Sequence, residues 1–416
     1  MSKNKKSLYG NKYVNIENGE LKLGNILCKN LTQNWETPIF LFLEQKIRDN
    51  IRYITSVFKE VFPKSRGFYS MKANFLQKTM EIIRDEQFGA EIVSFNELKI
   101  LEKLNFDSSR IIVGGPYLSA QLLDKIISME IPYIVIYDID EIPKISQRIR
   151  QNNKSNKYKP KILLKFQTLK YTSRHGLSHT KDTFQTLSKI FIANPELEYA
   201  GILSHYGTRL KTWIQYEQNL NNLIEIVQKI KNFAGLETKI LDIGGGFSNA
   251  DSLKEKEFRS YLERMREMLR KENLQNCTIF YEPGRFIMED TGFCISQVIR
   301  VDPHHRVVFL NIGNNFIPKF MKSSLRFYNA DRITESPNTP MDFMGYIPSD
   351  QDILIKKYNF TQSVQKGDII VIANVGAYAL TWSTRFPYQI PKILFLGKKN
   401  IVRYQGDPNP AEFSLS

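Results

Sequence analysis

Cysteine is scarce in this chain: Cys28, Cys277 and Cys294 are the only three among 416 residues. They form no Cys-x-x-Cys pair and no Cys/His ligand spacing, and their odd number argues against a disulfide framework, so a reducing compartment is expected. Long apolar runs are missing too. None reaches the roughly 18 residues that read as a membrane span. The polar N-terminus, Met1-Ser-Lys-Asn-Lys-Lys6, has no apolar signal region behind it. A soluble, cytoplasmic protein with no membrane partner is the expectation. Blocks of five or six basic residues are also absent, although 58 Lys+Arg against 43 Asp+Glu leave a net charge of +15. The lysines are interleaved with Asn, Ile and acids, so the charge reads as solvated surface and no nucleic-acid partner is expected. No two of the five histidines make a metal-ligand pair, and no metal is expected.

What is present is a globular composition, 42% hydrophobic and 12% aromatic, in a chain long enough for a large and a smaller domain. Between about residue 35 and residue 290, eight β-prone runs alternate with stretches of helical period. The runs are Phe68–Met71, Glu91–Val93, Ile111–Val113, Tyr133–Tyr137, Ile162–Phe166, Gly201–Leu203, Lys239–Ile243 and Thr278–Tyr281. Leu76 to Gln87, Ser119 to Glu130 and Trp213 to Phe233 carry the helical spacing. Eight strand–helix repeats predict an α/β fold, a (β/α)₈ barrel of TIM type, over residues 36–292. An open doubly wound sheet is the alternative. The barrel is preferred because the notable polar and glycine residues follow many different strands rather than one switch point. From about residue 295 the helical period fades into strands such as Val307–Leu310, Asp368–Ala373, Ile393–Leu396 and Ile401–Tyr404. This is expected to be a β domain of residues 1–35 plus 293–416, to which the Leu21 to Leu43 region also has the texture to return.

Active-site groups of such a barrel sit where its strands end. There stand Lys72, His205 with Thr208, Gly244-Gly-Gly246 and Glu282-Pro-Gly-Arg285. Three consecutive glycines expose backbone N–H groups for close approach to a phosphate, though alone they also describe a plain turn. Arg285 adds a cation from the neighbouring strand end. A lysine at a strand end is commonly a surface residue. Beside a phosphate site it can instead form a Schiff base to pyridoxal 5′-phosphate. Glu282 can then hold the pyridine nitrogen protonated, and His205 can lie against the ring while the Thr208 hydroxyl reaches the phosphate. His175, His179, His304 and His305 lack such company and read as structural or surface residues.

The stretches Phe68-Tyr-Ser-Met-Lys-Ala-Asn74, Phe88-Gly-Ala-Glu-Ile-Val-Ser94, Ser173-Arg-His-Gly176, Ser204-His-Tyr-Gly-Thr208, Gly244-Gly-Gly246, Glu282-Pro-Gly-Arg285 and Gly376-Ala-Tyr378 occur in that order. Together they resemble the fold-type III pyridoxal-phosphate decarboxylases of the ornithine/diaminopimelate family, and Thr37-Pro-Ile-Phe-Leu41 resembles that family's entry into the barrel. The resemblance implies a barrel followed by a β domain of the alanine racemase/ornithine decarboxylase kind, in a head-to-tail homodimer with shared active sites. It gives Lys72 the Schiff base, Glu282 the ring nitrogen and His205 the ring face. It gives the phosphate to Thr208, Gly244, Gly245, Gly246 and Arg285, with Tyr378 from the β domain, and counts Gly284 among the cofactor-binding residues. Glu91 stands at the family's acidic position near the cofactor, and Lys165 where Arg is frequent.

Departures from the pattern bear on substrate. Where the family carries Gly-Pro-x-Cys, whose thiol helps protonate the reacting carbon, this chain has Gly345-Tyr-Ile-Pro348. The aspartate of polyamine-forming members is replaced by Ile312, and the Arg-Pro-x-x-Tyr of diaminopimelate enzymes by Lys319-Phe-Met-Lys-Ser323. Lys319, Tyr346, Ser349 and Asp350 are the candidate substrate contacts. The expected activity is a carboxy-lyase acting on an amino acid, or a metabolite with an amino-acid head group, in siderophore, antibiotic or modified-peptide metabolism. A racemase, an epimerase or a decarboxylation-dependent transaminase of the same fold is the alternative. A non-catalytic binding protein is a third reading, against which the intact Lys72 and Glu282 argue.

Overall fold

Eight parallel strands close on themselves: Ser65–Ser70, Gly89–Ile92, Ile111–Val113, Tyr133–Ile136, Lys161–Lys165, Glu198–Leu203, Ile240–Asp242 and Thr278–Tyr281. They are seen in a computed structural model that describes residues 7–8, 10–152, 158–168, 174–398 and 402–404. The last strand pairs with the first, Ile279 opposite Ser65 and Tyr281 opposite Gly67. The open doubly wound sheet is thereby excluded. The interior is a plug of side chains, not a channel: Phe68, Ile112, Tyr133, Val135, Leu163, Ala200, Leu203, Ile240 and Phe280 pack together.

The strands are buried on both faces because helices cover the outside. Trp213–Ala234 shows why these segments are helical. Tyr216, Leu220, Leu223, Val227, Ile230 and Ala234 recur at three- and four-residue spacing on its buried face. Thr212 and Gln215 cap its start reciprocally, and Gly235, at φ 65°, ends it in the left-handed region. Ser94, Ser119 and Thr180 cap three other helices with their hydroxyls.

The chain divides into a barrel unit, residues 50–286, and a β unit of residues 1–49 with 287–416. Residues 36–49 and 287–292, expected in the barrel, thus belong to the β unit. The reason is the strand Ile39–Leu43, whose five apolar residues are all buried. It lies between Gly292–Asp302, antiparallel, and Lys392–Leu396, parallel, inside a nine-stranded sheet. A four-stranded antiparallel sheet starts the same unit, and Val14, Leu21 and Leu23 pack with Leu41, Phe293 and Val371. The predicted strand Ile401–Tyr404 is seen as Val402–Tyr404, Ile401 lying outside the described residues.

All three cysteines are free and buried. Burial pushes the Cys277 thiol up to about 11 and that of Cys28 to about 12. Among the described residues no helix is long and apolar enough to cross a membrane, and no three His, Cys, Asp or Glu side chains cluster to hold a metal.

Candidate active site

Side chains alternate along a strand, so a residue two places beyond a plug residue also points inward. Two places beyond Phe68, Val135, Leu163, Ile240 and Phe280 of the plug stand Ser70, Tyr137, Lys165, Asp242 and Glu282. The apolar filling therefore ends in a polar layer at the C-terminal rim of the barrel.

Lys72 lies on the single turn Met71–Ala73 that follows the first strand. The turn is pinned from beyond: the Tyr69 hydroxyl donates to the carbonyl of Asn74 at 2.9 Å, while Asn74 Oδ1 accepts from the Leu76 N–H and the Thr79 hydroxyl, each at 3.1 Å. Lys72 Nζ donates to Glu91 Oε2 at 2.7 Å. The two side chains differ in access, the lysine 45% exposed and the glutamate 7%. Ser70 donates to the same Glu91 oxygen. Because the eighth strand pairs with the first, Glu282 and Gly284 come up beside this turn. A Cβ on Gly284 would stand 3.0 Å from that of Ala73 and 3.1 Å from that of Ser70.

The three glycines after the seventh strand pack so closely on neighbouring backbone that none could carry a side chain. A Cβ would come within 2.9 Å of the Ser204 carbonyl at Gly244, 2.3 Å of the Glu282 carbonyl at Gly245 and 2.1 Å of the Gly207 carbonyl at Gly246. Gly244 and Gly246 also have φ of 68° and 87°, in the left-handed region that favours glycine. Arg285 is buried at the start of the next short helix, and Thr208 is exposed on the loop facing Gly246. A segment without side chains and a buried guanidinium suit a phosphate, an accessible amine suits an aldehyde, and a buried carboxyl suits a pyridine N–H. The residues present thus fit pyridoxal 5′-phosphate.

The electrostatics are set by burial. His205 is exposed at the rim, where partial desolvation of its ring and then the charges of Lys165 and Lys72 lower its pKa below the ordinary imidazole value. The Gly245 N–H donates to His205 Nδ1 at 3.3 Å, leaving the ring's proton on Nε2. Lys165, 4% exposed, donates to the Phe166 carbonyl at 2.9 Å. Burial lowers its pKa to about 8 despite the favourable charges of Glu282 and Asp242. Glu282 is raised well above the ordinary carboxyl range by burial and by its neighbours Asp242 and Glu91. Tyr137 is raised for the same reasons.

The barrel unit thus brings together Lys72, Glu91, His205, Thr208, Gly244, Gly245, Gly246, Glu282, Gly284 and Arg285. Tyr378, Lys319, Tyr346, Ser349 and Asp350 belong to the β unit. There Lys319 is exposed on a single 3₁₀ turn, Tyr378 has φ 64°, and Tyr346 stacks on Tyr388 with ring centroids 3.9 Å apart. Pro348, Ser349 and Asp350 are exposed on a loop shaped by buried Asp352, which accepts from the N–H groups of Ile347 at 2.9 Å and Asn314 at 2.6 Å. Ser173 lies outside the described residues. Sequence reading missed Ser70, Tyr137 and Asp242. Only Asp242 left a signal, a carboxyl in the apolar run Ile240-Leu-Asp-Ile243 directly before the glycines.

With imidazole nitrogens labelled, one histidine resonance pair should be in the neutral Nε2–H form at neutral pH, titrate below the unperturbed value and vanish in His205→Asn. Protonation of that ring near the unperturbed pKa of about 6.5 would contradict the assignment.

Comparison with known proteins agrees with this geometry. The family described as "Pyridoxal-dependent decarboxylase, pyridoxal binding domain" matches residues 48–289, more than half of the chain. Diaminopimelate decarboxylase of Aquifex aeolicus is 22% identical over 90% of both chains, and that of Helicobacter pylori 26% identical over 88% of this chain and 91% of its own. Among solved structures, diaminopimelate decarboxylase of M. jannaschii in complex with L-lysine superposes with a TM-score of 0.85 at 18% identity, covering 97% of this chain and 96% of that one. The chain belongs to the fold-type III pyridoxal-dependent decarboxylases and is an amino-acid carboxy-lyase that uses pyridoxal 5′-phosphate.

Proposed function

We propose that Lys72 is the residue that carries the cofactor covalently and that the substrate is an amino-acid-like metabolite of specialised metabolism. The observation that supports this best is the rim itself. An accessible amine, Lys72, held by buried Glu91, stands on the turn after the first strand, which closes the barrel against the strand that Glu282 follows. Pyridoxal 5′-phosphate, when bound, supplies a conjugated ring that accepts the electron pair left when the Cα–carboxyl bond breaks. Glu91 orients Lys72 Nζ and balances its charge. Glu282 would meet the pyridine nitrogen, and His205 would offer a flat face to the ring. Gly244, Gly245, Gly246, Thr208 and Arg285 would hold the phosphate.

The substrate reading rests on Ile312, Lys319 and Pro348. Proline has no acidic hydrogen, so the proton delivered to Cα comes from another group, Lys72, His205 through water, or the loop residues Tyr346, Ser349 and Asp350. The named relatives act on diaminopimelate by their titles, and that compound is the first comparison for any assay. We propose a homodimer in which this loop serves the partner's barrel; a solution mass of a single chain at working concentration would refute it.

Borohydride reduction of cofactor-loaded protein followed by mass mapping should place a phosphopyridoxyl group on Lys72. The same preparation, given a panel of amino acids that includes diaminopimelate and lysine, should release carbon dioxide and an amine fastest from a compound that is neither. A label on another lysine sinks the site assignment, and diaminopimelate as the best substrate sinks the specialised reading. Glu282→Gln should retain the cofactor yet slow bond cleavage by about 10²–10³-fold, the usual cost of losing one preorganised electrostatic partner. Unchanged turnover would remove Glu282 from the ring nitrogen.

A further inference from the structure

Asp242 plays no part in the chemistry described so far, yet among the described residues no other buried acid is so fully covered, at 0% exposure. Its Oδ1 accepts the Gly244 N–H at 2.8 Å. Its Oδ2 is buried and meets no hydrogen-bond donor among the described residues. Its neighbour on the rim is the carboxyl of Glu282. Strand register explains the placement: Asp242 is opposite Phe280, and Glu282 is the next inward residue on that strand. Two carboxylates present only acceptors to each other, so their proximity favours a proton on the pair.

The surroundings decide how many protons the pair holds. Burial, the pair's mutual repulsion and the nearby Glu91 all favour the acid forms, so the two groups bind a proton as one unit. Two lysines face the pair. Lys72 is engaged by Glu91, which leaves Lys165 as the cation that answers the pair's single negative charge. Tyr137 and His205, the remaining titratable neighbours, are both held neutral.

We infer that Asp242 and Glu282 form a proton-sharing dyad, charge-balanced by Lys165, which surrenders its proton when a pyridine ring seats against Glu282. The inference rests on the reading that Glu282 faces the ring nitrogen. Before binding, one proton is shared by two carboxyls, and their single negative charge faces the Lys165 ammonium. Afterwards the pyridine N–H donates to Glu282, both carboxyls are ionised, and Lys165 pairs with Asp242. A ring arriving as neutral pyridine takes the dyad's proton. A ring arriving protonated drives that proton into solvent. Either way the buried charges sum to zero before and after. Asp242 acts through Glu282 and is a positioning residue.

The test uses pyridoxine 5′-phosphate, which lacks the aldehyde and so binds without bonding to Lys72. Calorimetric titration in buffers of different ionisation heat counts the protons exchanged. Wild type should release about one proton more than Asp242→Asn, in which Glu282 is already ionised before the ligand arrives. Equal counts overturn the dyad. Should Asp242→Asn fail to fold, infrared spectra of wild type alone decide: a protonated-carboxyl band is expected without ligand and lost with it. A band that survives binding, or none beforehand, overturns the inference. Failure of the underlying reading would look different, as unchanged turnover in Glu282→Gln.

Discussion

The pairing of Thr278–Tyr281 with Ser65–Ser70 is the contact on which the site depends. It joins the two ends of the barrel sequence and so sets the turn carrying Lys72 beside the segment Glu282 to Arg285. The approach is close enough that Gly284 has no room for a side chain against Ala73 and Ser70. Were the sheet open, these segments would lie at opposite edges. The glycine segment depends on the neighbouring pairing of the seventh and eighth strands, since Gly245 rests against the carbonyl of Glu282.

Above the closure, the site is a balance between an apolar plug and a polar layer two residues higher. Burying charged groups without partners costs several kcal/mol each. The rim meets this by pairing: Lys72 with Glu91, Lys165 with the two carboxyls, His205 as a neutral ring receiving a backbone N–H. The plug beneath, with Phe68 and Phe280 4.9 Å apart, supplies rigid footing so that these pairs need not be held by mobile loops. Low dielectric around them makes each pairing matter more than it would at the surface.

Much of this was legible in the sequence. The eight strands fall within a few residues of the runs read from it, because short β-prone segments bounded by polar turns are a local property. The candidate residues of the barrel rim could be picked out because strand ends carry function in this architecture. Other aspects depended on long-range facts. Ile39–Leu43 carries two readings in one dimension, a barrel entry and a part of the β domain, and its pairing partners decide for the β unit's sheet. Asp242 was passed over because barrel strands are apolar on both faces. Alternation therefore does not reveal which face is inside, and a single acid looks like a strand end. The Asp242–Glu282 juxtaposition needs the register between the seventh and eighth strands, which no local pattern encodes.

The buried cysteines have a practical side. With Cys28, Cys277 and Cys294 all inside and their thiols held in the protonated form, the folded chain presents no nucleophilic sulfur to oxidants or alkylating reagents. A cysteine introduced at the exposed position of Pro348 would be its single reactive thiol. That would allow a fluorophore or spin label to be placed on this loop selectively, with the native cysteines left untouched.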